Sequence, residues 1–465
     1  MQFEVTEEYL DKISSAIKAN DIKVLEKSLK KLHSADIAVI LDNLDLEVGK
    51  KLYNFLDDKI AADALIEMDE DKREIFLASL TSEQIADQLD HLPSDEAADV
   101  IQELPDKVQD EVLRELEKDD AAQAHDIVDL LKYDENTAGG LMQKELVRVN
   151  IHKSMLECVR ELRKHAEHID DVYAVYVVDD ADKLMGVISF KKILTTSLRI
   201  KIADVYEPEA IHVKTNTDVE EVARVMEKYN LAFIPVVDEL GKLAGRITID
   251  DVVDIIRKEE TEDVQKMAAV QAIDEPYMNI SIYEVIKKRV GWLLILFVGE
   301  TFTATAMSFF ESEISKAVVL ALFVPLIISS GGNIGSQAST LIIRSLALGE
   351  ISIKEWWKIF NRELRVGIIL GVLLGLIGFL RVVIWSAFVD FYGDHAIMVG
   401  LTVGVSLLGV VLWGNLVGSV FPIILKRFGL DPAVSSAPFV ATLVDITGLV
   451  IYFSIASLFL TGILL

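Results

Sequence analysis

PLIISSGGNIGSQAS, residues 325–339, breaks one of the most apolar stretches of the chain with hydroxyls, amides and glycines. Apolar residues lead into it as far as Ile328 and resume at Leu341. Polar backbone at membrane depth is tolerated only where protein buries it or where it lines a watery cavity. Gly331, Gly332 and Gly335 fit close helix–helix packing, a common use of small residues in membranes. Asn333 and Gln337 fit packing less well. Their side-chain oxygens favour a pore or ion path.

Outward from this stretch, the chain after residue 288 supplies five segments long enough to cross a bilayer. They run at about 290–310, 317–347, 366–389, 396–425 and 437–463. The second and fourth are long and hold Gly, Ser or Pro, so a tilt or break is expected. Lys287, Lys288 and Arg289 precede the first segment. Lys354, Lys358, Arg362 and Arg365 separate the second and third, and Lys426 and Arg427 separate the fourth and fifth. The alternate loops, ESEISK (311–316) and DFYGDH (390–395), hold a single Lys. The positive-inside rule then puts the amino-terminal part in the cytoplasm and the carboxyl terminus outside.

Asp445, in APFVATLVDITGLVIYFSIA, is the only charge of the fifth segment. An intramembrane carboxylate costs roughly 2.5–3.5 kcal/mol on insertion scales and by default marks an ion or proton path. Ala441, Asp445 and Gly448 share one helical face. Glu300, in LFVGETFTATA, is a second intramembrane acid, open to a pore role or a paired structural one.

The chain has 465 residues and a formal charge of −28, which calls for two or more domains. The charge is unevenly spread. Residues 1–280 hold 63 acidic and 34 basic side chains, and residues 281–465 hold 11 and 12. An acidic soluble part thus joins a near-neutral apolar part, which favours cations and argues against nucleic acid. The lone Cys158 excludes an intrachain disulfide, and the charged start MQFEVTEEYLDKI has no apolar core of a secretion signal.

Residues 68–115 repeat every 12: MDEDKREIFLAS, LTSEQIADQLDH, LPSDEAADVIQE, LPDKVQDEVLRE. Each unit offers an apolar residue, a turn or cap, an acid and a short amphipathic helix. Such units stack into a solenoid, and residues 1–130 are expected to be all-helical. Residues 131–258 then turn to strands and helices. One constant shift of register superposes Val177 on Val236, Val178 on Val237, Asp179 on Asp238 and Lys183 on Lys242. In the same register Leu184, Gly186 and Ile188 meet Leu243, Gly245 and Ile247. Seven identities in so short a window mark a duplicated β–α module. An acidic connecting helix is expected over 259–288 and the membrane domain over 289–465. Asp251 and Asp254 share one helix face, as do Glu259 and Glu262. As a group they suit a hard cation, Mg²⁺ or Ca²⁺, and no His or Cys cluster points to zinc.

This order of domains resembles the MgtE family of bacterial magnesium channels along essentially the whole chain. The resemblance rests on ENTAGGLM (135–142), the paired CBS signatures, TEDV (261–264), PLIISSGGNIGSQAS and LDPAVSSAPFVATLVDITG (430–448). It implies an all-α superhelical amino-terminal domain, an α/β tandem CBS pair, a connecting helix and an all-α five-span pore domain in a bacterial cell membrane. It also implies a homodimer with the pore on its two-fold axis. Asp445 would be the pore carboxylate, with Ala441, Asn333, Gly332 and Gln337 along a path for largely hydrated Mg²⁺. Regulatory Mg²⁺ would bind Asp95, Glu220, Asp251, Asp254, Glu259, Glu262 and Asp431 and close the channel. Asn230 stands where an acid would be expected in the dimer-facing CBS site. An adenine nucleotide such as ATP in the CBS cleft would use Thr248 and Asp250 of GRITIDD (245–251). The first copy, GVISFKK, has Lys in place of the acid.

Two other classes stay open. One is a proton- or sodium-coupled divalent-cation exporter with Asp445 as coupling group. The other is a membrane-anchored sensor without transport, which the polar break and Asp445 disfavour. An enzyme is not expected, because no nucleophile–base set, phosphate loop or metal-hydrolase motif is found.

Overall fold

The computed structural model describes residues 5–165, 169, 172–273, 277, 280–388 and 395–462. It divides into two compact units, 1–257 and 258–465. In the first, helices begin at Ile22, Ser34, Leu46, Asp58, Glu70, Ser82, Ser94 and Asp106. The spacing of 12 therefore extends well upstream of residue 68. A cap or turn residue precedes each helix: Asp21, His33, Asp45, Asp57, Asp69, Thr81, Pro93, Pro105. Asp21 and Thr81 accept a first-turn amide directly, so they satisfy donors the helix leaves orphaned. Leu41, Tyr53, Leu65, Leu77, Leu89 and Ile101, one per repeat, are buried. Each short helix buries too little alone, so alternate helices stack on one another: Asp58–Ile66 on Ser82–Leu89, and Ser82–Leu89 on Asp106–Asp119. Arg73 is threaded through this core. It pairs with Glu103 (Nε–Oε2 2.9 Å) and donates to the Ile66 carbonyl at 2.6 Å.

Two sheets follow. The first orders β1 (Arg148–Asn150), β2 (Ala174–Val178), β3 (Leu184–Ser189) and β4 (Glu207–Pro208). The second orders β5 (Val213–Lys214), β6 (Phe233–Val237) and β7 (Leu243–Thr248). The β2–β3 register, Ala174 opposite Ser189, recurs in the second copy as Phe233 opposite Thr248. Even the register irregularity recurs, at Val177/Val178 and Val236/Val237. Upstream of the strands the copies repeat in a slightly longer register. It relates the helix Met155–His165 to Val219–Tyr229, and it relates Gln143, bridged to Arg246 on β7, to Glu207, paired with β3. The segment leading into each copy thus pairs with the other copy's sheet. The two turns also exchange backbone bonds, Leu184 N–H to Gly241 O (3.1 Å) and Leu243 N–H to Asp182 O (3.0 Å).

The helix after β7 runs Ile249–Met267. It does not continue through the connecting helix expected over 259–288. Ala269 takes a left-handed φ of 59°, which an α-helix does not tolerate, and the next helix among the described residues is Ile282–Phe309.

Among the described residues of the second unit, five helical stretches have the length and hydropathy to cross a membrane: Ile282–Phe309, Val318–Ala347, Ile353–Ser386, Ala396–Arg427 and Ala437–Leu460. The first and third start earlier than their apolar runs, because helical bonding continues through the basic flanks at 287–289 and 354–365. The expected ends at 389 and 463, and all of the DFYGDH loop but His395, lie outside the described residues. The expected irregularity of the second span is a 3₁₀ stretch, Val318–Phe323, ahead of an α-helix with Pro325 in its first turn. The Tyr452 hydroxyl donates to the Leu320 carbonyl of that stretch at 2.8 Å, tying the fifth span to the irregular start of the second. The fourth span carries Pro422 in its interior.

Candidate ion path and cation-sensing surfaces

Glycine decides how the second span sits. A Cβ on Gly418 of the fourth span would lie 2.1 Å from the Gly335 carbonyl oxygen, and one on Gly414 would lie 2.5 Å from that of Gly331. No residue with a side chain permits this approach, so Gly331 and Gly335 serve packing. Gly332 faces elsewhere. A Cβ there would meet the Ala441 Cβ and Asp445 Oδ1, each at 3.3 Å. The polar break of the second span thus adjoins the lone carboxylate of the fifth, and three of the five path candidates meet at one place.

Asn333 and Gln337 are exposed on the second span, and Asn333 Nδ2 donates to Ser329 Oγ at 3.3 Å. With Ser329 they form a polar stripe at i, i+4 and i+8. The hydroxyls of Ser336 and Ser339 do different work. They donate to the Ala437 and Ser435 carbonyls (both 2.9 Å), where the fifth span begins. Those oxygens are therefore engaged in bracing two spans. The first span crosses the fifth closely, since a Cβ on Gly299 would lie 2.6 Å from Thr442 Cγ2. This crossing makes Glu300 the charged neighbour of Asp445.

In the first unit the helix Ser94–Glu103 brings Asp95 and Glu96 against Asp251. Asp95 is 7 % exposed, and its Oδ1 has no hydrogen-bond partner. Burial first, then the charges of Asp251, Glu96 and Glu145, push its pKa well above the ordinary carboxylate value. Glu96 rises to about 7 through burial and then Asp251, Asp63 and Glu67. Asp251 rises to about 6, chiefly by burial, although Thr248 Oγ1 donates to its Oδ2 at 2.7 Å. These carboxylates crowd one another at a cost that a cation would relieve. Among the described residues no three His, Cys, Asp or Glu converge into a ready metal cage.

Of the remaining candidates, Thr248 bonds Asp251, and Asp250 and Asp254 add their charges beside it. Glu220 is exposed in the first turn of Val219–Tyr229. Asn230 ends that helix at φ 51°, ψ 51°, a left-handed position that Asn tolerates better than most residues. Asp254 is exposed and pairs with Arg257 at 3.7 Å. Glu259 is half-buried. Glu262 and Asp431, within the second unit, share Lys266, whose Nζ lies 2.6 Å from Glu262 Oε1 and 2.8 Å from Asp431 Oδ2. Thr248 and Asp250 line a cavity of about 1830 Å³ that also reaches Tyr173, Val178 and Arg246.

The sequence reading misses Gln143, Arg246 and Lys266. Gln143 Oε1 accepts from Arg246 Nε (3.0 Å) and Nη2 (2.7 Å), which leaves Nε2 to donate to Asp95 Oδ2 at 3.4 Å. Gln143 directly follows ENTAGGLM, and nothing in that run marks it as a partner of Asp95.

Three family models match the chain in order: the MgtE intracellular N domain at 32–136, CBS domains at 138–199 and 202–258, and the divalent cation transporter domain of MgtE at 324–455. A magnesium transporter MgtE from Thermus thermophilus is 35 % identical over 463 residues, covering 97 % of this chain and 98 % of its own length. The chain belongs to the MgtE family of magnesium transporters. Another MgtE, from Enterococcus faecalis, is 35 % identical over 92 % of each chain. Among solved structures, the cytosolic domain of an Mg²⁺ channel MgtE in complex with ATP is 31 % identical. It aligns with 53 % of this chain and 99 % of its own, with a TM-score of 0.49. The protein is thus a divalent-cation transporter and not an enzyme. Its amino-terminal domains are intracellular, and its working partners are the lipid bilayer and divalent cations.

Proposed function

We propose that this protein conducts Mg²⁺ passively into the cell and is closed by Mg²⁺ bound on its cytoplasmic side. The observation that carries the reading is the meeting of Gly332, Ala441 and the Asp445 carboxylate where the second and fifth spans touch. A bare backbone and a small side chain beside one carboxylate leave room for an ion that keeps its water. The exposed stripe of Ser329, Asn333 and Gln337 supports a homodimer whose two copies of this face enclose the path. Two Asp445 side chains would then match the charge of one divalent ion. In this reading the carboxyl terminus lies outside.

Closure would follow from the crowded acids. Without Mg²⁺, Asp95, Glu96 and Asp251 repel; with it, the ion favours the state that holds them together. Asp254, Glu259, Glu262, Asp431 and, across the dimer, Glu220 would extend the same effect. The CBS pair would also take adenine nucleotide, Asp250 facing the ribose from the cavity it lines. The Thr248 hydroxyl, engaged by Asp251, would link that cleft to the acidic cluster.

Mg²⁺ flux into proteoliposomes of purified protein, with Mg²⁺ varied on the cytoplasmic-domain side, tests the whole reading. Passive flux that falls as this Mg²⁺ rises is expected. Flux that ignores it removes the sensor and leaves the pore; flux that needs an opposing proton or sodium gradient removes the passive channel.

A further inference from the structure

Lys266 stands between two carboxylates that the proposed closure assigns to Mg²⁺. Its ammonium lies within hydrogen-bond distance of Glu262 Oε1 (2.6 Å) and Asp431 Oδ2 (2.8 Å) at once. Glu262 is one helical turn before it, so that pair is local. Asp431 is 165 residues away in sequence, so that pair is tertiary. All three side chains are about one-third exposed, which leaves the ion pairs open to competition from solvent ions. Asp431 is also fixed to the membrane domain. Its Oδ1 accepts from Ala433 N–H at 2.8 Å in the 3₁₀ turn Pro432–Val434, and the residue after that turn, Ser435, accepts from Ser339 of the second span. A force on Asp431 therefore reaches the two spans that hold the candidate path.

We propose that Lys266 is an affinity-setting residue, a tethered cation that a divalent ion must displace to bridge Glu262 and Asp431. This rests on the proposed Mg²⁺-dependent closure. A monovalent ammonium neutralises one of the two carboxylates and keeps the helix end on Asp431 when Mg²⁺ is scarce. Mg²⁺ neutralises both, but only after moving the ammonium aside. The lysine thereby raises the Mg²⁺ concentration at which this contact responds, and it keeps the contact from being left as two bare, repelling carboxylates.

The test compares Lys266→Met and Lys266→Arg with the wild type in proteoliposomes. Without the tethered charge the cytoplasmic Mg²⁺ concentration for half-closure should fall by about fivefold, the size of one repelled unit charge a few ångströms away at a partly solvated site. Lys266→Arg should stay near the wild type, and the effect of Lys266→Met should vanish in an Asp431→Asn background. A half-closure concentration that is unchanged or raised in Lys266→Met overturns the proposal. Mn²⁺ binding by detergent-solubilised full-length protein supplies a readout independent of gating. Lys266→Met should bind Mn²⁺ more tightly than the wild type, and equal binding overturns the proposal. Tighter Mn²⁺ binding in a protein whose flux ignores cytoplasmic Mg²⁺ would support the lysine's role and remove only the gating reading.

Discussion

Asp445 is one carboxylate in a helix otherwise free of charge, set beside glycine and alanine. Asp95, Glu96 and Asp251 are carboxylates pressed together among helix caps and strand ends. The difference lies in what each site asks of an ion. On the proposed reading little is spent at Asp445 on holding the ion, because small neighbours would leave its hydration shell intact, and an ion bound too tightly would not leave. In the cytoplasmic cluster the charges are crowded until they repel. On the same reading, occupancy there would change which arrangement is stable, and tight binding would be no hindrance.

The sharpest way to break this contrast is Asp445→Ala. If one charge supplies the field of the path, divalent flux should drop by about 100-fold, the worth of roughly 2.7 kcal/mol. The protein should still elute as the wild type does on size exclusion. Flux within threefold of the wild type would move the path elsewhere. Next in size is the joint neutralisation of Asp251, Asp254, Glu259 and Glu262 to their amides. Flux at high cytoplasmic Mg²⁺ should then stay open, about tenfold above the closed wild type. Flux at low Mg²⁺ should change little. A variant that still closes would show that the cluster is only a solvated acidic face.

A third prediction concerns packing alone. Gly418→Ala places a methyl 2.1 Å from the Gly335 carbonyl oxygen, so the second and fourth spans must separate. A loss of about 1–3 kcal/mol is expected, read as a lower melting temperature in detergent. Gly241→Ala, at a turn with open space around its φ of 79°, should cost about 1 kcal/mol through backbone strain alone. Gly418 lies inside a helix, where alanine is the better backbone residue, so an unchanged or raised melting temperature in Gly418→Ala would mean that the close approach of the spans contributes nothing.

How much can be read from residues alone varies with how local the signal is. The five spans, the duplicated strands and the carboxylate in the fifth span rest on runs and spacings, and each is present in the structure. The helical repeat is legible from residue 68, where the unit capped by Asp69 leads into those opened by Thr81, Pro93 and Pro105. Upstream, Asp and His do the same work without standing out from an acidic chain. The glycines of the polar break cannot be divided by spacing. Only the crossing of the fourth span separates Gly331 and Gly335, which pack, from Gly332, which meets Asp445. Glu96 and Lys266 are hidden for another reason. On a helical wheel each is an ordinary solvated charge, and its meaning comes from a partner far off in the sequence, Asp251 for the one and Asp431 for the other.

Glu96 also gives the smallest and most diagnostic effect. Its folded-state pKa is about 7 and that of Asp251 about 6, both above the ordinary carboxylate values near 4. Between about pH 4 and 7 the folded cluster therefore holds protons that the unfolded chain has released. By linkage, stability falls as pH rises through this window and is recovered as pH drops. Amide exchange of the helix Ser94–Glu103 in the intact protein should slow by roughly threefold from pH 8 to pH 5.5, after correction for intrinsic rates. Mg²⁺ should slow it as well at pH 8, and much less at pH 5.5, because protons and Mg²⁺ relieve the same repulsion. Glu96→Gln should remove part of the pH effect and weaken the Mg²⁺ effect together. If instead the pH effect disappeared while the Mg²⁺ effect stayed whole, the ion would be bound apart from this cluster, and the crowding of Asp95, Glu96 and Asp251 would need another cause.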